Sequence, residues 1–227
     1  MPPHAIQTLL TKSLTNAVQE ELERKIIAGH VMPGEALRDV AIASEMGISK
    51  GPVREAMRIL EERGLVTFAK NNGVFVRRLN AAQAAQIYEV RVPLECLVGR
   101  LSARNMALGA QAQMQDLLGQ MQTAVAHGDT VSYANMNLEF HDSLALHTGN
   151  GVLYETYRKL VTQLKLFRSH TFQYRPEFIG ISLSEHTSIF DAVVARDETR
   201  ASELLQAHAQ DSLRRLQMTL DNEADSD

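Results

Sequence analysis

The 227-residue chain has one cysteine and no tryptophan, and only 5% of its residues are aromatic. A single thiol, Cys96, excludes an intramolecular disulfide framework. Its place in the apolar run Leu94, Cys96, Leu97, Val98 favours packing over catalysis. No apolar run approaches the roughly 20 residues that a membrane-spanning helix needs. Residues 1–10 lack the charged start and long apolar stretch of a secretory leader. The expectation is a soluble, cytoplasmic protein in a reducing compartment, with no membrane partner. There is also no nucleophile elbow, no phosphate-binding glycine loop and no pair of carboxylates at a useful spacing. These absences argue against the common hydrolytic and nucleotide-dependent enzymes.

What is present is a hydrophobic fraction of 44%, enough for a sizeable core. The length suits one large domain or two small ones. The formal net charge is −4, but it is unevenly spread. Residues 1–80 carry 11 Lys and Arg against 9 Asp and Glu, and residues 81–227 carry 12 against 18. The stretch 50–78 alone has 7 basic residues against 3 acidic ones. A basic surface confined to one segment is the footprint of a nucleic-acid reader inside an acidic chain.

Leu14, Val18, Leu22 and Ile26 repeat every four residues and predict a helix over 13–28. Gly29 ends it and Pro33-Gly34 makes a turn. A short helix is expected over 38–46, then a break at Gly47. Ser49 is placed to cap a third helix over 50–63, with Pro52 tolerated in its first turn. Residues 65–69 and 74–76 have strand composition and flank Asn71-Asn72-Gly73, a hairpin signal. Helices followed by a two-stranded hairpin make a winged helix-turn-helix. Beyond a short linker at 79–82 only helical patterns remain, about six of them, with breaks near 108–109, 127–129, 148–151, 171–180 and 196–197. The tail 222–227 is expected to fray. The fold class is therefore mainly α: a winged helix-turn-helix over 1–79 and an all-helical antiparallel bundle over 80–227.

Within the first domain, Lys50 and Arg54 lie one turn apart at the start of the third helix, where side chains reach base edges. Arginine forks onto the O6 and N7 of guanine, and lysine donates there too. Val53, Met57 and Leu60 fall on the opposite, core-facing side. Arg38, Ser49, Lys50, Pro52, Arg54, Arg58 and Gly73 are the candidate DNA-contacting residues.

Residues 13–79 resemble the DNA-binding domain of the GntR family. The likeness lies in the run from Ala28-Gly29 through Pro33-Gly34 to Leu37 and in the long stretch from Ile48-Ser49-Lys50-Gly51-Pro52-Val53-Arg54-Glu55-Ala56 to Leu65-Val66. The family usually has arginine then threonine where this chain has Lys50 and Gly51. Lysine loses the planar fork, so a different operator is expected. Gly73 sits where the family has its wing-tip glycine. The resemblance implies a homodimer on a short palindromic operator, since two-fold protein symmetry pairs with two-fold DNA symmetry.

In the second domain Asn137 and His141 share a helical face at i and i+4, and His186 and His208 lie on later helices. Three imidazoles converging inside a bundle suit a divalent transition metal. The remaining histidines read as surface or ordinary core residues. Residues 83–220 resemble the ligand-binding domain of the FadR-type branch, the FCD fold, whose metal-binding members carry an acid, two residues, Phe and His. Here that reads Asn137-Leu138-Glu139-Phe140-His141, with asparagine where aspartate is usual. The resemblance implies a zinc or nickel ion on Asn137, His141, His186 and His208. It also implies a small organic acid effector held partly by that ion, and repression relieved by the acid. Arg91 matches an arginine that the family turns toward its pocket. It is the candidate effector clamp, with an ion pair to Glu95 one turn on as the alternative. Arg168 and Tyr174 are further pocket candidates from their place near a helix end. Two other functions stay open: a metal-dependent enzyme, with Glu139 as the only candidate base, and a DNA-binding dimer without effector.

Overall fold

The computed structural model describes residues 3–70, 72–78 and 81–224, with side chains at 13–70, 72–78 and 81–220. The chain divides into two compact units, Met1–Arg78 and Leu79–Asp227. Among the described residues no helix is long and apolar enough to cross a membrane.

The first unit runs α1 (Pro3–Ile27), β1 (Ala36–Leu37), α2 (Asp39–Glu45), α3 (Lys50–Glu62), β2 (Val66–Ala69) and β3 (Gly73–Val76). The α1 stripe holds for Val18, Leu22 and Ile26, which are buried, but Leu14 is 42% exposed. Helix α3 shows why it forms: Val53, Ala56, Met57 and Leu60 are at most 1% exposed and line one face, while charged residues fill the other. Gly47 takes φ +65° in the sharp turn between α2 and α3, a conformation that strains any residue with a Cβ. Ser49 stands at the N-cap of α3 with extended backbone, yet its hydroxyl makes no cap hydrogen bond. The expected hydroxyl cap is thus not formed. The sheet has three strands, not two. β1 adds to the hairpin in the order β1-β3-β2, all antiparallel, with Ala36 opposite Phe75 and Thr67 opposite the same residue on the other side. Asn71 of the expected turn and residues 79–80 of the expected linker lie outside the described residues.

The second unit is all-helical: α4 (Ala81–Asn105), α5 (Leu108–His127), α6 (Thr130–Leu146), α7 (Gly151–Gln163), α8 (Lys165–Tyr174), α9 (Phe178–Val194) and α10 (Glu198–Ala224). These are seven helices among the described residues, against about six expected. The extra break falls at Leu164, between α7 and α8, and carries neither glycine nor proline. Caps mark the breaks on either side of α6. Gly128 ends α5 in the left-handed region, and the side chains of Asp129 and Asn150 accept from the backbone N–H of Ser132 and Leu153.

Helices α4 and α10 run against each other along much of their length. Gly99 permits their close approach, for a Cβ there would lie 2.6 Å from the Ala201 carbonyl oxygen. Arg196 is the one non-glycine residue with positive φ among the described residues, at 60°. Its guanidinium donates to the carbonyls of Ala103, Arg104 and Met106, satisfying the open end of α4 and offsetting the backbone cost.

Candidate DNA-reading face and candidate metal centre

On the first unit, Arg38 is exposed at the N-cap of α2, and Lys50, also exposed, opens α3. Arg54 and Arg58 are 66% and 68% exposed on α3. A groove between α2, α3 and the wing gathers Arg38, Asp39, Arg54, Arg58, Phe68 and Gly73. Arg54 donates from Nε to Asp39 Oδ2 at 2.6 Å, and this partner holds the Asp39 carboxyl below its ordinary range. An Nε contact leaves the two terminal nitrogens, the pair that forks onto guanine. Gly73 is exposed with φ +104° at the start of β3. Pro52 is a correction: its ring is buried, so it shapes the start of α3 and offers no free surface to DNA. Cys96 is only half-buried.

In the second unit α6, α9 and α10 bring His141, His186 and His208 together, with ligand atoms all within 4.8 Å of one another. His141 Nε2 lies 3.1 Å from His208 Nε2 and 3.3 Å from His186 Nε2. All three rings are at most 2% exposed. The opposite ring nitrogens point outward to partners. His208 Nδ1 is 2.6 Å from Glu185 Oε2, and Glu185 also accepts from Nη1 and Nη2 of Arg215, each at 2.8 Å. His141 Nδ1 is 3.3 Å from the Tyr157 hydroxyl, which itself donates to Glu95 Oε1 at 2.7 Å. His186 Nδ1 is 3.4 Å from the Tyr133 hydroxyl.

These partners set the tautomers. Burial opposes the charge on Glu185, but His208 and Arg215 prevail and hold its carboxyl down at about 2. As an ionised acceptor it forces the His208 proton onto Nδ1. The single proton of Tyr157 is spent on Glu95, so its oxygen accepts from His141 Nδ1–H. Both Nε2 atoms therefore present lone pairs at 3.1 Å, a repulsive contact unless a cation lies between them. Burial, followed by nearby positive charge, pushes His141 and His186 well below the ordinary imidazole value. Burial also lowers His208, with Glu185 opposing. Neutral rings are the form that ligates a metal. Tetrahedral ligands at zinc–nitrogen distances stand about 3.3 Å apart, close to the 3.1 and 3.3 Å from His141 Nε2 to the other two rings. The residues fit a transition-metal ion.

Comparison with known proteins assigns both units. The model for the gntR family of bacterial regulatory proteins matches residues 14–76, and the FCD domain model matches 86–211. The chain is a GntR-family transcription regulator of the FCD type. The HTH-type transcriptional regulator YdhC of Bacillus subtilis is 28% identical over 83% of this chain and 84% of its own. The HTH-type transcriptional repressor RspR of Escherichia coli is 24% identical, covering 88% of each chain. Among solved structures, a GntR-type regulator from a Rhodococcus species covers 90% of this chain and 97% of its own, at TM-score 0.77 and 28% identity. The E. coli McbR structure has the same coverage, at TM-score 0.79 and 23% identity, and shares the fold.

In this regulator the fourth expected ligand, Asn137, lies one turn before His141 on α6, 1% exposed and with no hydrogen-bond partner on Nδ2. Its side chain lines a small cavity with Tyr88, Arg168, Thr171, Ser182, Ser212 and Arg215. The free space is about 20 Å³, room for about one water. Arg91 does not line this cavity. It is fully buried and bonds Glu95 through Nε and Nη2, the alternative weighed from the sequence, with Nη1 left unpartnered. Burial opposes its charge, yet Glu95, Tyr157 and Tyr88 prevail and raise its pKa. Arg168, on α8, does line the cavity; it is 6% exposed, and neither Nη1 nor Nη2 has a partner. Burial and the nearby Arg91 charge pull its pKa down. Glu139, the candidate base, is exposed. Successive helical side chains diverge by about 100°, so it turns away from the histidines.

The sequence reading did not find the outer partners Glu185, Tyr157, Tyr133 and Arg215. Arg215 lies seven residues after His208, two turns along one face, and that spacing was its only signal.

Proposed function

We propose that this regulator is a homodimeric repressor of a palindromic operator, released by a small organic acid that its C-terminal unit holds together with a divalent transition metal, zinc or nickel. The observation that carries the metal is the 3.1 Å approach of His141 Nε2 to His208 Nε2, with a partner beside the far ring nitrogen of each. His141, His186 and His208 would hold the ion, with the Asn137 carbonyl oxygen as a fourth donor. A divalent cation there supplies a Lewis-acid anchor for a carboxylate oxygen.

The chain's own residues do the rest. Arg168 offers two free terminal nitrogens in the geometry that clamps a carboxylate. Tyr88, Thr171, Ser182 and Ser212 add hydroxyls for the remainder of the acid. Arg168 takes the clamp role expected of Arg91, whose guanidinium is occupied by Glu95. With room for about one water, the cavity must widen to admit an acid, which ties binding to a rearrangement of the helices that line it. An acid that favours the arrangement with weaker operator affinity lowers that affinity by the factor by which DNA lowers its own. DNA is read by Lys50 and Arg54 from α3, with Arg38, Ser49, Arg58 and Gly73 positioning the backbone. The exposure of Glu139 favours sensing over catalysis.

Elemental analysis of the purified protein, paired with thermal shift against small carboxylates, tests this reading. About one transition metal per chain and a stabilising acid whose effect disappears on chelation are expected. Protein that takes up no metal after reloading, and that no acid stabilises, would refute it.

A further inference from the structure

The donor set around the converging histidines carries no charge. An imidazole ligates a metal as the neutral ring, so His141, His186 and His208 bring no negative charge, and Asn137 is an amide. The surrounding buried and half-buried ions are Arg91, Arg168 and Arg215 against Glu95 and Glu185, three positive groups against two negative ones. Glu95 serves Arg91 and Tyr157, and Glu185 serves Arg215 and His208. Glu95 Oε2 is left without a partner, but neither carboxylate bonds Arg168, which lines the cavity with Asn137 and whose terminal nitrogens have no partner. A divalent ion would add two further positive charges to a water-poor site that already has one in excess. Such a charge is expensive to bury unless an anion compensates it.

We infer that metal and acid bind to this chain as a cooperative pair, the carboxylate of the acid supplying the negative charge that Asn137 does not. This rests on the metal-anchored sensor proposed above and adds its regulation. The metal alone adds charge to a site that already holds an excess cation and offers only neutral donors, and the acid alone is held by Arg168 but gains the attraction of a second cation once the metal is bound. Linkage makes the effect reciprocal, so the acid tightens the metal by the factor by which the metal tightens the acid. The metal then works as part of the signal, retained when acid is plentiful and released when it is scarce. A carboxylate built in at position 137 would break this dependence.

The test uses full-length protein stripped with a chelator. Zinc affinity is measured by competition with a chromophoric chelator, in sodium acetate and in sodium chloride plus acetamide at equal ionic strength, with blanks for zinc binding by acetate itself. Acetamide matches acetate in shape and lacks its charge. Wild-type protein should bind zinc at least about tenfold tighter in acetate, and Asn137→Asp should bind tightly in both media with a gain under about threefold. Equal wild-type affinity in the two media would overturn the pairing and leave the sensor standing. So would zinc binding by Asn137→Asp alone, because acetate would then have failed to replace the carboxylate. No zinc binding by either protein in either medium would remove the sensor reading as well. The wild-type comparison decides the question even if the variant does not fold.

Discussion

Replacing Glu185 by glutamine isolates what orients the candidate metal centre. The carboxylate takes the His208 Nδ1 proton at 2.6 Å and two nitrogens of Arg215 at 2.8 Å. Glutamine keeps the volume and one acceptor oxygen. It gives up the charge that raises imidazole basicity, and its amide can donate, which would move the His208 proton onto Nε2 and block the ligand. Loss of such an outer partner costs about 10- to 100-fold in metal affinity, or about 1.4–2.7 kcal/mol. The metal-free fold should lose about 1.5–3 kcal/mol, the worth of a hydrogen bond to a charged group. The assay is zinc competition on stripped protein, with urea unfolding of the same preparation. If Glu185→Gln folds normally and binds zinc within about threefold of wild type, Glu185 does not set the tautomer and the lone-pair argument fails.

Three other expectations follow from the described contacts. Arg54→Ala should cost about 1–3 kcal/mol of operator binding and relax specificity, measured by fluorescence anisotropy on matched and mismatched duplexes; unchanged affinity would misplace the recognition helix. Arg168→Met removes an uncompensated buried cation, so metal-free protein should melt at the same temperature or higher while carboxylates no longer stabilise it; undiminished acid stabilisation would rule Arg168 out as the clamp. The three buried histidines have folded-state pKa values below 6.5, so the unfolded chain takes up more protons as pH falls through that value. Stability of metal-free protein is then full above pH 6.5 and declines below it, by at most about 1.4 kcal/mol per pH unit for each histidine. Urea titrations between pH 7 and 5 read this slope directly, and a flat profile would mean the rings are not held neutral.

What could be read from the residues was whatever repeats along the chain. Helix α3 was legible because Val53, Met57 and Leu60 keep the helical period, and the wing because turn residues separate two β-rich runs. Strand β1 escaped because two residues have no period, and it exists only by pairing with β3. The break between α7 and α8 at Leu164 escaped because no glycine or proline there forbids a helix. His141, His186 and His208 emerged through helical spacing together with a family likeness. Glu185 stayed hidden because it diverges from its neighbour His186 and answers to His208 on another helix. Arg91 and Arg168 show the same limit from the other side. Both are buried cations, and only the fold shows that Glu95 occupies one and leaves the other open.

Gly99 reaches further than its own crossing point. It lies on α4, away from the histidines in sequence, and the absence of its side chain sets how near α10 can come. His208 and Arg215 ride on α10, so the alignment of one histidine nitrogen with another is fixed partly by the missing methyl of a residue that touches neither. A single carbon added at position 99 would shim the two helices apart and throw the centre out of true. Mechanical tolerance of this kind belongs to the whole bundle, and a survey confined to the ligands would overlook it.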